Sequence, residues 1–213
     1  MGVLELWTEI WPELLDALLA SLKLALGALA LGLALGLLLA LARLRGQGPL
    51  WRATGIYIEV FRGTPALIQL FIIYFGLAAV GITFSSLQAA IIGLGLNAAA
   101  YLAEIFRAGI QAVPRGQSEA ALAIGMNRTQ VMAWIVLPQA ARIVLAPVGN
   151  VAISLLKDTS VASLIAAPDL MLRAQDLSSQ YFQPLQIYLI AGGIYFLVCF
   201  PLSWLVRAVE PKR

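Results

Sequence analysis

Long apolar runs separated by short polar punctuation set the rhythm of this chain. Read for length, they predict five membrane-spanning helices over about residues 15–42, 56–80, 87–106, 138–156 and 185–206. A run of this size crosses about 30 Å of hydrocarbon at about 1.5 Å per helical residue. Ahead of the first, residues 1–14 carry Glu5, Trp7, Glu9, Trp11 and Glu13 and read as a short helix lying in the membrane interface. Within the first run, Gly32 and Gly36 form a small-xxx-small spacing, which either brings two helices close or arises by chance in a Gly/Ala-rich stretch. The second run is interrupted. Glu59 and Arg62 lead into Gly63-Thr64-Pro65, where proline removes a donor and frees carbonyls that lipid cannot satisfy. An ionisable pair beside a broken helix marks a transport pathway, or else two interfacial charges pairing to hold the elbow. The third run holds Asn97 and Glu104. The fourth starts on Pro138, contains Pro147 and Asn150, and closes on Lys157-Asp158-Thr159-Ser160. A polar stretch over about residues 168–184 then leads into the fifth.

The long hydrophilic interruption, about residues 107–137, lies between the third and fourth runs and is dense in helix punctuation. Ser118 reads as a cap for the run Ala120 to Ile124, Gly125 as a left-handed stop, and Asn127 with Gln130 as the capping box of a second short helix. Such a knuckle fits a cleft on a soluble partner, because Ala120 and Ala121 let a partner backbone approach and Glu119 complements a helix start.

Composition narrows the class. With 61% of its 213 residues hydrophobic and 12% charged, the chain is predicted to be an all-α polytopic membrane protein, one transmembrane domain over 1–213 with no room for a soluble one. It has no histidine, so imidazole chemistry and histidine metal sites are excluded, and the single Cys199 rules out an internal disulfide. The net charge of +3 reflects topology rather than nucleic-acid binding. Arg43, Arg45, Arg52, Arg107, Arg115, Arg128, Arg142, Arg207, Lys212 and Arg213 fall on the face that bears the knuckle. Glu5, Glu9, Glu13, Asp16, Asp158, Asp169 and Asp176 fall on the other, with Arg173 the clearest cation there. The positive-inside rule then places the N-terminus outside and the C-terminus in the cytoplasm. The acidic start lacks the basic residues of a cleavable signal, so the N-terminus is expected to be retained.

The spacing Glu119-Ala120-Ala121, three residues, Gly125, nine residues, Ile135, one residue, Leu137-Pro138 resembles the EAA motif of membrane subunits of ATP-binding-cassette (ABC) importers. The segments EVFRGTPALIQLFIIYF (59–75), YLAEIFRAGIQAVPRG (101–116) and ISLLKDTS (153–160) resemble the polar amino acid permeases, the histidine, glutamine and arginine type, and the likeness runs from about Leu15 to about Leu205. It implies a type I importer fold that moves polar amino acids across a bacterial inner membrane. It also implies docking of an ATPase dimer through Arg115, Glu119, Ala120, Ala121, Gly125 and Met126. The chain has no Gly-Lys-Ser/Thr phosphate loop, so it is expected to be no enzyme; ATP and magnesium would be used by the partner, and this chain would bind no cofactor or metal. A second permease subunit around a two-fold axis and an extracytoplasmic substrate-binding protein complete the implied assembly.

For a zwitterionic amino acid, a pathway needs groups for both a carboxylate and an ammonium. The candidates are Glu59, Arg62, Gln69, Glu104, Lys157, Asp158, Thr159 and Ser160, since in these permeases the segments matching 59–69 and 157–160 lie along the central cavity. The residues at 157–160 also fit a plain polar turn at a span end. The acidic positions lean towards a cationic or neutral substrate, and Arg62 and Lys157 weaken that lean. Two other readings predict different behaviour: an ion- or proton-coupled secondary transporter using Glu59 and Glu104, and a structural subunit of a larger complex with no substrate response.

Overall fold

A computed structural model describes residues 3–44 and 46–209, with side chains from residue 9 onward. Arg45, Lys212 and Arg213 of the charge count, and the side chains of Glu5 and Trp7, lie outside the described residues. No strand occurs among those described. The helices are α1 (Val3–Leu44), α2 (Pro49–Gly63), α3 (Ala66–Phe71), α4 (Leu77–Ala79), α5 (Ser86–Gln111), α6 (Arg115–Ala123), α7 (Arg128–Gln130), α8 (Leu137–Ala162), α9 (Leu170–Tyr181) and α10 (Pro184–Val209). Two π-helical turns, Ile72–Gly76 and Val131–Val136, join α3 to α4 and α7 to α8.

Among the described residues four helical stretches are long and apolar enough to cross a membrane: Glu9–Leu44, Ser86–Gln111, Arg128–Ile165 and Pro184–Val209. A fifth is counted if the pair Pro49–Gly63 and Ala66–Ala79, bent by 109° at its break, is one span. The expected separate helix over residues 1–14 is instead the first turns of α1, which runs through Pro12 without a break. The helix expected to begin at Pro138 extends upstream, because a π turn lets α7 run into α8. The polar stretch over 168–184 is mostly helical too. Asp169 caps α9, accepting from the Met171 and Leu172 amides at 3.0 and 2.8 Å, and Leu170, Ala174 and Leu177 form its buried stripe.

The middle of the molecule is α5, which packs against α1, α2, α3 and α8. Small residues let α1 and α5 close on each other. A Cβ at Gly36 would stand 2.8 Å from Leu102 Cβ, and one at Gly32 would stand 3.0 Å from Ala98 Cβ, so the Gly32–Gly36 spacing is a packing seam. Around it gathers the main core of Leu24, Ala28, Leu70, Leu94, Leu102 and Leu155. A second core joins Ile10, Leu14 and Leu18 of α1 to Leu170, Leu177 and Ile187 of α9 and α10. Charged links reinforce that end: Arg173 pairs with Glu13 and lies 3.6 Å from Asp176, and the Tyr181 hydroxyl donates to Glu9 at 3.0 Å. That hydrogen bond raises the Tyr181 pKa.

Candidate functional site

Two features of the fold offer chemistry: a cavity beside the broken helix, and the knuckle between α5 and α8. The cavity, about 660 Å³, is walled by the break itself (Thr64, Pro65, Ala66), by one face of α5 and by one face of α8. The α8 wall is Pro147, Asn150, Val151, Ser154, Leu155 and Asp158. These positions follow the i, i+3, i+4 rule of a single helical stripe, and Asn150, Ser154 and Asp158 are its polar members. The same spacing places Asn97, Tyr101 and Ile105 of α5 on the facing wall.

Helical geometry also explains which predicted residues stay away. Lys157 is one position off the stripe and is exposed elsewhere. Thr159 is fully buried, its hydroxyl donating to the Leu156 carbonyl at 2.9 Å, and Ser160 donates to the Lys157 carbonyl at 2.7 Å. Because those hydroxyls bond carbonyls three residues back, 157–160 does not close the helix, and α8 runs on to Ala162. Glu104 faces Arg107, with a 2.6 Å ion pair, and Arg107 also donates to Gln111 at 2.7 Å. Glu59 is exposed on α2 and makes no ion pair among the described residues. Arg62 does not turn to it; its guanidinium lies over the Tyr101 ring, 5.3 Å from the centroid. Of the eight pathway candidates, Asp158 alone lines the cavity.

Gln69 is buried behind the break. Its Nε2 donates to the Phe61 carbonyl at 2.9 Å, the Thr64 carbonyl at 3.1 Å and the Thr64 hydroxyl at 2.8 Å, while Thr64 Oγ1 donates to the Val60 carbonyl at 2.8 Å. Asn97 adds 3.0 Å bonds to the Phe61 carbonyl and to Gln69 Oε1, and Tyr57 ties α2 to the Leu96 carbonyl at 2.8 Å. Side chains thus supply the donors that Pro65 and the bend take away. Asn97, Tyr101, Asn150 and Ser154 are cavity residues absent from the sequence-based candidates. Stepping back from Asp158 in fours reaches Ser154 and Asn150, and that stripe was the available signal.

At the knuckle, α6 starts at Arg115 behind Pro114, so Ser118 sits inside the helix and does not cap it. The helix ends in a Schellman arrangement: the Met126 amide donates to the Ala121 carbonyl at 3.2 Å and the Gly125 amide to the Leu122 carbonyl at 3.0 Å. Gly125 has φ +91°, a backbone conformation that costs any residue with a Cβ. Asn127 and Gln130 form the capping box, with both bonds at 2.9 Å. Ala121 and Met126 pack on Val113, Val131 and Val136. Arg115 and Glu119 line a groove against the end of α5 and the second π turn. Leu122 and Ile124 are exposed, Ile124 by 81%, so the tip presents apolar surface. Gln139 Nε2 donates to the Ile135 carbonyl at 2.9 Å and reaches Gln117 at 3.5 Å, linking α6 to α8. Among the described residues no cluster of carboxylates and thiols has the makings of a metal site.

Comparison with known proteins places this geometry. Residues 32–213 match the family described as binding-protein-dependent transport system inner membrane component. The chain is 41% identical over 174 residues to the L-cystine transport system permease protein TcyB of Bacillus subtilis (strain 168), covering 81% of this chain and 74% of that one. It is 39% identical over 164 residues to the arginine transport system permease protein ArtQ of the same organism, covering 76% of this chain and 74% of that one. Its fold matches a crystal structure of an amino acid ABC transporter with histidines at TM-score 0.93 and 36% identity, over 99% of this chain and 98% of that one. At 23% identity the MetNI methionine ABC transporter, in an inward-facing form, shares the fold, with TM-score 0.71 over 93% of this chain and 96% of that one. The cavity beside a broken helix and the capped knuckle are therefore parts of an ABC permease subunit, and the chain belongs to the family of binding-protein-dependent transport system inner membrane components.

Proposed function

We propose that this chain is the transmembrane permease of an importer of polar amino acids, with its cavity as part of the substrate pathway and its knuckle as the seat of a separate ATPase. The observation that carries the reading is the knuckle. A rigid, doubly capped tip exposes Leu122 and Ile124 beside the groove of Arg115 and Glu119, and its far side is continuous with α8, which walls the cavity. A push on the tip therefore reaches the cavity wall through one helical run, Arg128–Ile165, and this supports alternating access by rigid-body rocking.

The arrangement in the membrane follows from charge. Arg107, Arg115 and Arg128 stand at the knuckle end, while Glu9, Glu13, Asp169 and Asp176 stand at the α9 end, and this bias supports a cytoplasmic knuckle, C-terminus and ATPase dimer with the N-terminus outside. An extracytoplasmic binding protein delivers substrate to the outer face. A second permease, a copy of this chain or a relative, closes the open side of the cavity across a two-fold axis. The gradient-driven alternative draws no support from its two candidates, because Glu104 is held by Arg107 and Glu59 stands outside the cavity.

The test is co-purification of the detergent-solubilised chain with the ATPase encoded beside it, in wild-type, Gly125→Pro and Glu119→Lys forms, followed by ATP hydrolysis with a panel of amino acids. Association lost in both variants, with wild-type hydrolysis stimulated by amino acid, is the expected result. Full association and uptake in Gly125→Pro would sink the docking role, and uptake that follows an ion gradient without ATP would sink the reading as a whole.

A further inference from the structure

One carboxylate stands where a membrane protein seldom leaves one. Glu59 sits in α2 between two ties to α5: the Tyr57 hydroxyl donates to the Leu96 carbonyl at 2.8 Å, and the Phe61 carbonyl accepts from Asn97 at 3.0 Å. Leu96 and Asn97 lie close to the midpoint of α5 (Ser86–Gln111), so Glu59 is level with the middle of a span. It points away from that packing, exposed and without an ion pair among the described residues. Ala53, Ile56, Val60 and Gly63 recur at helical spacing on the same exposed side, Ile56 63% and Val60 52% accessible.

Lipid is a poor cover for this face. An ionised carboxylate at bilayer depth is costly, and such groups face a bundle interior or a water-filled cavity and find a counter-charge there. The face also runs into the mouth of the cavity, because Thr64 and Pro65, which line it, are exposed directly after Gly63. Whatever covers α2 therefore closes the open side of the cavity as well.

The counter-charge is present in this chain's own sequence. Arg62 lies one helical turn from Glu59 and is exposed beside it, yet its guanidinium rests over Tyr101 and makes no ion pair among the described residues. The α5 carboxylate Glu104 is taken by Arg107. A surface that carries a free carboxylate and a free guanidinium one turn apart is self-complementary. A two-fold axis passing between the two positions sets each Glu59 against the partner's Arg62, and contacts across such an axis come in reciprocal pairs.

We infer that the second permease across the cavity is another copy of this chain, seated on the exposed face of α2, with Glu59 of each protomer paired to the partner's Arg62. The cavity is incomplete without that copy. The inference rests on the import reading above and names the partner that it left open.

Disulfide cross-linking of the permease–ATPase complex in membranes tests it. The background is Cys199→Ser, which removes the native thiol, and Val60→Cys places a new one beside the expected axis. Oxidation should give a species of twice the mass of this chain. Glu59→Arg and Arg62→Glu each set like charges opposite one another and should lower the cross-linked yield by about tenfold or more. Combined in one chain, the two changes restore opposite charges and should restore the yield. Cross-linking only to a different chain overturns the inference, as do single reversals that leave the yield unchanged or a double exchange that stays as low as the singles. Where a reversed chain is not recovered from the membrane, Glu59→Gln replaces it, and a yield equal to wild type then overturns the pairing. The cross-link reads neither ATP hydrolysis nor uptake. A chain that pairs with itself but imports no amino acid overturns the import reading alone, and one that imports without pairing overturns this inference alone.

Discussion

Two of the breaks between described helices, at Thr64-Pro65 and at Gly125, are repaired by different means. At the first, between α2 and α3, side-chain amides supply the donors: Gln69 of α3 reaches the carbonyls of Phe61 and Thr64, and Asn97, from the distant α5, adds a bond to Phe61. At the second, between α6 and α7, everything is local, with a Schellman pair of amides and a capping box all within ten residues, 121–130. The difference follows from the medium. On its packed side, away from the cavity that Thr64 and Pro65 line, the first break has no water to finish its hydrogen bonds, and the amides of Gln69 and Asn97 serve it instead. A break in water needs only local capping, and its side chains stay available for a partner.

The sharpest way to break this comparison is Gln69→Leu, which strips donors from the part-buried carbonyls of Phe61 and Thr64. It should cost about 3 kcal/mol, measured as a lower unfolding temperature of the detergent-solubilised protein. Tolerance of that change would mean water reaches the break, and the contrast between the two sites would fall. Gly125→Ala comes next: holding a Cβ at φ +91° should cost about 1.5 kcal/mol, seen as faster proteolysis of α6 with the unfolding temperature of the rest unmoved. Asn127→Ala should cost about 1 kcal/mol, confined to hydrogen exchange at α7, since it deletes a cap and exposes no buried group.

Asp169 sharpens the comparison with the smallest effect. It caps α9 as Asn127 caps α7, but it is only 2% exposed, and burial raises its pKa above the ordinary 3.8 despite the opposing bonds from Leu172, Met171 and Tyr195. The folded state therefore binds this proton more tightly than the unfolded chain does. Its stabilising contribution is fully present below pH 3.8 and is lost as pH rises through the raised value. Asp169→Asn keeps the acceptor and should flatten that part of the stability–pH curve. An unchanged slope would show that the charge is solvated.

Much of this was legible in the residues alone. The Gly63-Thr64-Pro65 break, the left-handed Gly125 and the Asn127–Gln130 box are local chemistry, and local chemistry is written in sequence. Readings that needed a third dimension did not follow. Gln69 looks like a pathway residue until Phe61 and Thr64 are seen folded around it. Lys157-Asp158-Thr159-Ser160 looks like a polar turn because its hydroxyls could cap a helix end, yet they bond carbonyls one turn back and the helix continues. The helix α9 was legible in principle, since Leu170, Ala174 and Leu177 have helical spacing, but its polar face dominates the composition. The 109° bend has no signature in the sequence, because a proline marks where a helix breaks and only packing sets the angle.

The seam at Gly32 and Gly36 bears on how the chain is made. Synthesis delivers α1 first, then the broken pair, and only afterwards α5, which carries Ala98 and Leu102 to fill the seam and Asn97 to satisfy the break. Until α5 is inserted, a nascent chain holds an open groove on one helix and, on the next, a Phe61 carbonyl served by Gln69 without Asn97. One helix therefore completes two unfinished structures at once, and insertion of α5 becomes the commitment step of biogenesis. Nascent chains stopped before Ser86 should be cleared by membrane proteases, whereas chains that extend past Gln111 should persist, as pulse-chase labelling of truncations would reveal.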